Sequence, residues 1–218
     1  MLEQGSAEWF ATRCGRVTAS RVADIIAKTK TGPGASRKNY LAQLVCERLT
    51  NCVEPSFTNA AMMWGVEQEP NARVAYSFLA DVDVELVGFV PHPLIEMTGA
   101  SPDGLVGDDG LVEIKAPQSA THIDTLLGRS VPEKYVTQMQ WQMACTGRTW
   151  CDFASFDPRL PENLRLFVAR VHRDDALIAS LEAEVTKFLG EVADTVARLG
   201  AAVNDNADDW RANPLLAG

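Results

Sequence analysis

Between Asp81 and Glu113 the chain carries eight acids and not one Lys or Arg. That stretch cannot hold phosphate by direct charge pairing, but it would concentrate cations. No apolar run approaches the ~18 residues needed to span a bilayer, and the N-terminus lacks a basic-then-apolar leader. A membrane role is excluded on this reading, and a cytoplasmic protein is expected. The five cysteines (14, 46, 52, 145 and 151) are odd in number and contain no Cys-x-x-Cys. Their spacings fit neither a disulfide framework nor the usual iron–sulfur ligand runs, so they read as reduced packing thiols. Histidine is scarce, with His92, His122 and His172 scattered singly, which argues against zinc. Internal repeats and dividing linkers are also missing.

What is present suffices for one substantial core: 218 residues, 46% of them hydrophobic. We read residues 1–200 as a single domain and 201–218 as an acidic, loose tail. The net charge of −9 is unevenly spread. Arg13, Arg16, Arg21, Lys28, Lys30, Arg37 and Lys38 crowd residues 13–38 against the single acid Asp24. A basic arm on an acidic body steers a polyanion to one lining and repels it elsewhere.

Periodicity predicts a short amphipathic turn at Trp9-Phe10, then a helix capped by Ser20 and carrying Val22, Ile25 and Ile26. Residues 29–36 read as a loop whose Ser36 caps a helix with Tyr40, Leu41, Leu44, Val45 and Leu49 on one side. A helix over 59–79, bent at Pro70, precedes strands at about 84–90, 97–100, 104–107 and 111–116. Helices over 119–128 and 133–146, strands at 150–157 and 165–172, and a helix over 174–199 complete the chain. Its buried stripe is Leu177, Leu181, Val185, Phe188 and Val192. The fold class is therefore α/β, a mixed sheet flanked by helices.

Asp109-Gly110, set between Leu105-Val106 and Leu111-Val112, is a strong hairpin signal. In the outgoing strand Glu113 and Lys115 leave the same face, while Ile114 points into a core. Asp103 lies in a Pro-Asp-Gly bend that can aim its carboxylate inward. Two acids and an ammonium gathered this way suit magnesium-assisted phosphodiester hydrolysis: hard oxygen ligands plus a cation beside the attacking water.

Pro102-Asp103 followed by Glu113-Ile114-Lys115 resembles the signature of the PD-(D/E)XK nucleases. Arg13 to Ser20, Trp64-Gly65-Val66-Glu67-Gln68-Glu69, Ser101 to Gly104, Gln138-Met139-Gln140 and Phe156-Asp157-Pro158-Arg159 follow the order seen in the phage lambda exonuclease and YqaJ-type viral recombinase family. The resemblance spans about residues 5 to 190 and implies a restriction-endonuclease-like core. It implies Mg2+, with Mn2+ as substitute, as two ions about 3.5–4 Å apart. Asp103, Glu113 and the Ile114 carbonyl would be their ligands, and Glu69 a further acid acting through water. Lys115 would orient the attacking water as an ammonium, and Gln140, rather than Gln138, would approach that water. Arg13 and Ser20 would seat a terminal 5′-phosphate, Lys28 and Lys30 would hold backbone phosphates, Gln138 would join these DNA-binding residues, and Met62 would wedge apart the base pairs. Met62 replaces a leucine of the family and Lys30 an arginine, which weakens a bidentate grip. The implied activity is 5′-to-3′ digestion of double-stranded DNA ends to mononucleotides, leaving 3′ single strands. The implied partners are two further copies in a homotrimer ring and a phage single-strand annealing protein. An endonuclease, an exonuclease of other polarity and a non-catalytic DNA clamp stand as the alternatives.

Overall fold

A computed structural model describes residues 3–29, 32–54 and 59–211; Lys30 lies outside the described residues. The chain opens with α1 (Ala7–Arg13), whose N-cap Ser6 hydroxyl accepts from Trp9 N at 3.2 Å. Next come β1 (Val17–Thr18), a 3-10 turn over Ala19–Arg21 and α2 (Val22–Ile26). The expected Ser20 cap is not made. Thr18 holds the extended position and Arg21 precedes α2, so Ser20 sits inside the turn with its hydroxyl exposed. Strands β2 (Lys28–Thr29) and β3 (Gly32–Pro33) pair where a loop was predicted.

The long helix α3 (Ala35–Thr50) starts after Gly34, not Ser36. A side chain at that cap would crowd Ala27, whose carbonyl accepts from Gly34 N at 2.9 Å. Tyr40, Leu44 and Val45 are buried as expected; Leu49 is exposed, and Glu47 is buried in its place. α4 (Ala60–Ala80) passes through Pro70 without ending.

Then follow β4 (Val84–Glu85), β5 (Val90–Pro91), β6 (Thr98–Ala100), β7 (Gly104–Val106) and β8 (Gly110–Lys115). After α5 (Ser119–Gly128) and α6 (Glu133–Thr146), β9 (Trp150–Phe156) and β10 (Leu166–His172) complete the main sheet. Helix α7 (Asp175–Arg211) runs past the predicted end at 199 and takes up residues 201–211, expected to be loose. This stretch is alanine-rich, and its first proline, Pro214, comes after Arg211.

The main sheet has the order β10-β9-β8-β7-β4. Its pairs are antiparallel except β8 with β9, which run parallel and are joined through α5 and α6. A second sheet, β1-β6-β5, packs against α6 and the turn over Ala19–Arg21. Period-two alternation divides β8 between two cores. Val112 and Ile114 pack with Ala72 and Tyr76 of α4, and Leu111 packs with Met139 and Met143 of α6. A third core joins α2, α3, α6 and α7 through Ile25, Tyr40, Trp141, Val185 and Phe188. Burying each large side chain contributes about 1.5–3 kcal/mol. Together they fix α4 and α6 against opposite sides of the strand that carries Glu113.

Candidate active site

The turn differs in one respect from its expected form. Val106 pairs with Gly110, so residues 107–109 make the bend, and Gly107 takes the left-handed conformation at φ 52°. Gly110 instead belongs to β8, where a Cβ would overlap the Trp150 indole. Its glycine is required by close packing, not by turn geometry.

β8 delivers Glu113 into a fully buried position, hydrogen-bonded on both oxygens. Gln138 Nε2 donates to Oε1 and Gln142 Nε2 to Oε2, both at 2.6 Å, and the Lys115 ammonium pairs with Oε1. The two glutamines lie four apart on α6 and so share a face. Gln140 does not: its Nε2 donates to His172 O at 2.8 Å and its Oε1 accepts from Asp174 N at 2.9 Å. The placement of Gln140 beside the site is therefore corrected; turned about 200° from Gln138, it ties α6 to the start of α7. Gln142 was missed, although the i, i+4 spacing from Gln138 was legible.

Asp103 Oδ2 accepts from Ile114 N at 2.7 Å, locking the Pro-Asp-Gly bend to β8. Gln4 Nε2 holds the same bend by donating to Val87 O and Pro102 O, each at 2.8 Å. Burial first, then the Glu113 and Glu69 charges, push the Asp103 carboxyl well above the usual range, against the pull of Lys115 and Ile114 N. Burial alone would lower Lys115, but the Glu113 and Asp103 carboxylates more than offset it and hold the amine as ammonium. Glu69, on α4, accepts from Arg73 Nη2 at 2.5 Å. The Asp103, Glu113, Lys115 and Glu69 charges thus act on one another, and Gln138 is tied to them by its hydrogen bond to Glu113.

Helix α1 is hung on the bend that carries Asp103. Trp9 Nε1 donates to Ser101 Oγ at 3.0 Å, and the Arg13 guanidinium stacks 3.7 Å from the Trp9 ring centroid. Arg13 and Ser20 consequently line a cavity of about 180 Å3 that also contains Asp103 and Gln138. Burial pulls the Arg13 guanidinium down to about 10, with Tyr40 and Glu47 opposing. Met62, half exposed, does not line this cavity but a neighbouring one, with Arg13 and Phe10. Lys28 is exposed on β2, in a separate hollow with Arg37 and Lys187.

The donor chemistry fits a hard divalent cation. Among the described residues no three of Asp, Glu, His and Cys converge to cage an ion by themselves. One buried and one half-buried carboxylate beside backbone carbonyl leave positions for water and phosphate, as Mg2+ prefers, and an ammonium already sits on Glu113.

Over residues 8–149 the sequence matches the YqaJ-like viral recombinase domain. The crystal structure of the alkaline exonuclease LHK-Exo from Laribacter hongkongensis is 50% identical in sequence, with a TM-score of 0.87 over 92% of this chain and 99% of that one. The same figures hold for LHK-Exo in complex with dAMP. A phage related exonuclease from Haemophilus somnus 129PT shares the fold at 15% identity, with a TM-score of 0.70 over 84% of this chain and 96% of that one. No curated protein sequence matches. With most of its length inside the matched domain and 50% identity to a solved relative over 92% of the chain, this chain belongs to the YqaJ-like viral recombinase family.

Proposed function

We propose that the protein is a magnesium-dependent exonuclease that degrades one strand of duplex DNA from a phosphorylated 5′ end. It releases mononucleotides and leaves 3′ single strands for recombination by annealing. The observation that carries this reading is the cavity shared by Arg13, Ser20, Asp103 and Gln138. An anion seat of guanidinium and hydroxyl there lies beside the carboxylates that would hold the metal. A terminal phosphate in the seat would position the next phosphodiester at Asp103 and Glu113. The binding of dAMP by LHK-Exo and that relative's description as an alkaline exonuclease support the assignment.

Asp103, Glu113 and the Ile114 carbonyl would hold Mg2+ or Mn2+, in a pair, with Glu69 acting through water. When bound, the cations supply Lewis-acid activation of the phosphate and a more acidic attacking water. Lys115, as ammonium, orients that water and offsets charge on the phosphate. Gln138 and Gln142 keep both Glu113 oxygens aimed, a supporting role that in comparable sites affects metal affinity 10–100-fold. Met62, in the neighbouring hollow with Arg13, would part the terminal base pair, and Lys28 would hold backbone phosphate further out. The reading extends to a homotrimer ring and a phage annealing protein as partner, for which native mass measurement and co-purification are the tests. Among the described residues no helix is long and apolar enough to cross a membrane.

The test is an end-labelled linear duplex with Mg2+, comparing 5′-phosphate, 5′-hydroxyl and closed circular substrates. Fast loss of the 5′-phosphate duplex, slow loss of the 5′-hydroxyl duplex and intact circles are expected. Loss of circles would establish an endonuclease; equal rates on both ends would remove the phosphate seat. Binding without cleavage would leave only a clamp.

A further inference from the structure

A second cavity, of about 290 Å3, adjoins the phosphate seat. Arg13, Thr18 and Ser20 line both hollows, but Asp103 and Gln138 line only the first. The two hollows are thus neighbours across Arg13, Thr18 and Ser20, and the second does not include the carboxylate Asp103. Its size is at the small end of ligand clefts, more than a monophosphate already held at Arg13 would use. The lining includes Arg16, Arg21 and Gln43 as donors, together with Glu47 and Glu54.

The charges in this cavity are unequally committed. Arg21 is spent: its Nε pairs with Asp24 at 2.5 Å and its Nη1 donates to Gln43 Oε1 at 3.0 Å. Glu47 is also spent, accepting from Gly15 N at 2.7 Å, Gln43 Nε2 at 2.9 Å and Glu54 N at 3.4 Å. Among the described residues neither Arg13 nor Arg16 has a carboxylate within ion-pair distance, and no hydrogen bond to the Arg16 guanidinium is made. Arg48 lies near enough that the Arg16 charge, after burial, lowers its guanidinium. Its Nε donates to Gly15 O at 2.9 Å, while its buried Nη2 has no partner among the described residues. Arg48 does not itself line the hollow, so the lining guanidinium with neither a hydrogen bond nor an ion pair among the described residues is Arg16, set beside the Arg13 that both cavities share, and that pair describes a place for an anion.

We propose that this cavity takes a second phosphate joined to the first, so that the seat accepts 5′-diphosphate and 5′-triphosphate strand ends, with Arg16 as its ligand. The proposal rests on the exonuclease reading above, because the first phosphate is the one held by Arg13 and Ser20. A diphosphate group could also arrive as a free nucleoside triphosphate, and the experiment separates the two sources.

The measurement is fluorescence anisotropy of labelled duplexes bearing 5′-hydroxyl, 5′-monophosphate and 5′-triphosphate, titrated with full-length Asp103→Ala protein in EDTA. A triphosphate end is expected to bind about tenfold tighter than a monophosphate end, the scale of one added charge-assisted contact. Arg16→Ala on that background should erase this difference while keeping the monophosphate-over-hydroxyl preference. Competition with free dATP reads the second source. Displacement of the triphosphate duplex at micromolar dATP makes the cavity a nucleotide site; displacement only at millimolar dATP assigns it to strand ends. Equal binding of mono- and triphosphate ends overturns the proposal, as does an Arg16→Ala variant that weakens both equally. Loss of the monophosphate-over-hydroxyl preference in the Arg16-intact protein overturns the exonuclease reading instead.

Discussion

Gln142 and Gln140 look alike in the sequence but face opposite tasks, and substitution should separate them. Gln142→Leu leaves a buried carboxylate oxygen of Glu113 without its donor. We expect metal affinity, read by Mg2+ titration of activity, to fall 10–100-fold with little change in DNA binding. Gln140→Leu removes bonds to His172 O and Asp174 N, so it should cost about 1–3 kcal/mol of stability and leave the Mg2+ dependence unchanged. If Gln140→Leu moved the metal titration and Gln142→Leu did not, the placement of α6 would be refuted. Lys115→Met is expected to lower turnover at least about 100-fold while DNA still binds, because the ammonium is needed in the transition state.

At the scale of elements, Phe188 anchors α7 by stacking on Tyr40, with ring centroids 5.6 Å apart. Phe188→Ala should cost about 3–5 kcal/mol in urea unfolding and leave the Mg2+ dependence of the folded fraction as it was. Tyr76 does for α4 what Phe188 does for α7: its hydroxyl donates to buried Asp152 at 2.8 Å, which Arg170 also holds at 2.8 and 2.9 Å. Much of this level was legible in sequence. The 3.6-residue stripe of α7, the bounds of α5 and α6, and the shared face of Glu113 and Lys115 follow from side-chain periodicity alone. What was not legible depended on neighbours distant in sequence. Gly110 was read as a turn residue because nothing local announces the Trp150 ring packed on it. Ser20 was read as a cap because the 3-10 turn ahead of α2 has no periodic signature. Gln140 was misassigned because its partners, His172 and Asp174, come from the far end of the sheet.

For the molecule as a whole, two acids set opposite pH limits. Burial raises Asp157, but hydrogen bonds from Arg159 and Ser119 outweigh it and hold the carboxyl at about 2, against 3.8 when free. A depressed carboxyl stabilises the fold fully above 3.8 and loses that contribution as pH falls from about 4 to about 2. Asp157→Asn should therefore flatten the acid limb of urea-midpoint against pH in that window. Asp103 is displaced upward, so it must give up a proton before it can hold a cation. The expected consequence is a rate that climbs with pH and a Mg2+ requirement that eases on the same climb. An activity flat across that range would contradict the assignment of Asp103 as ligand.

The parallel pairing of β8 with β9 also bears on when the nuclease site is complete. Glu113 is made about halfway along the chain, before its strand neighbour, which begins at Trp150, and its two amide donors at 138 and 142. A two-stranded hairpin by itself is marginal in water. A nascent chain still lacking those segments thus has its blade unassembled, and cutting power arrives only once the crossover has closed.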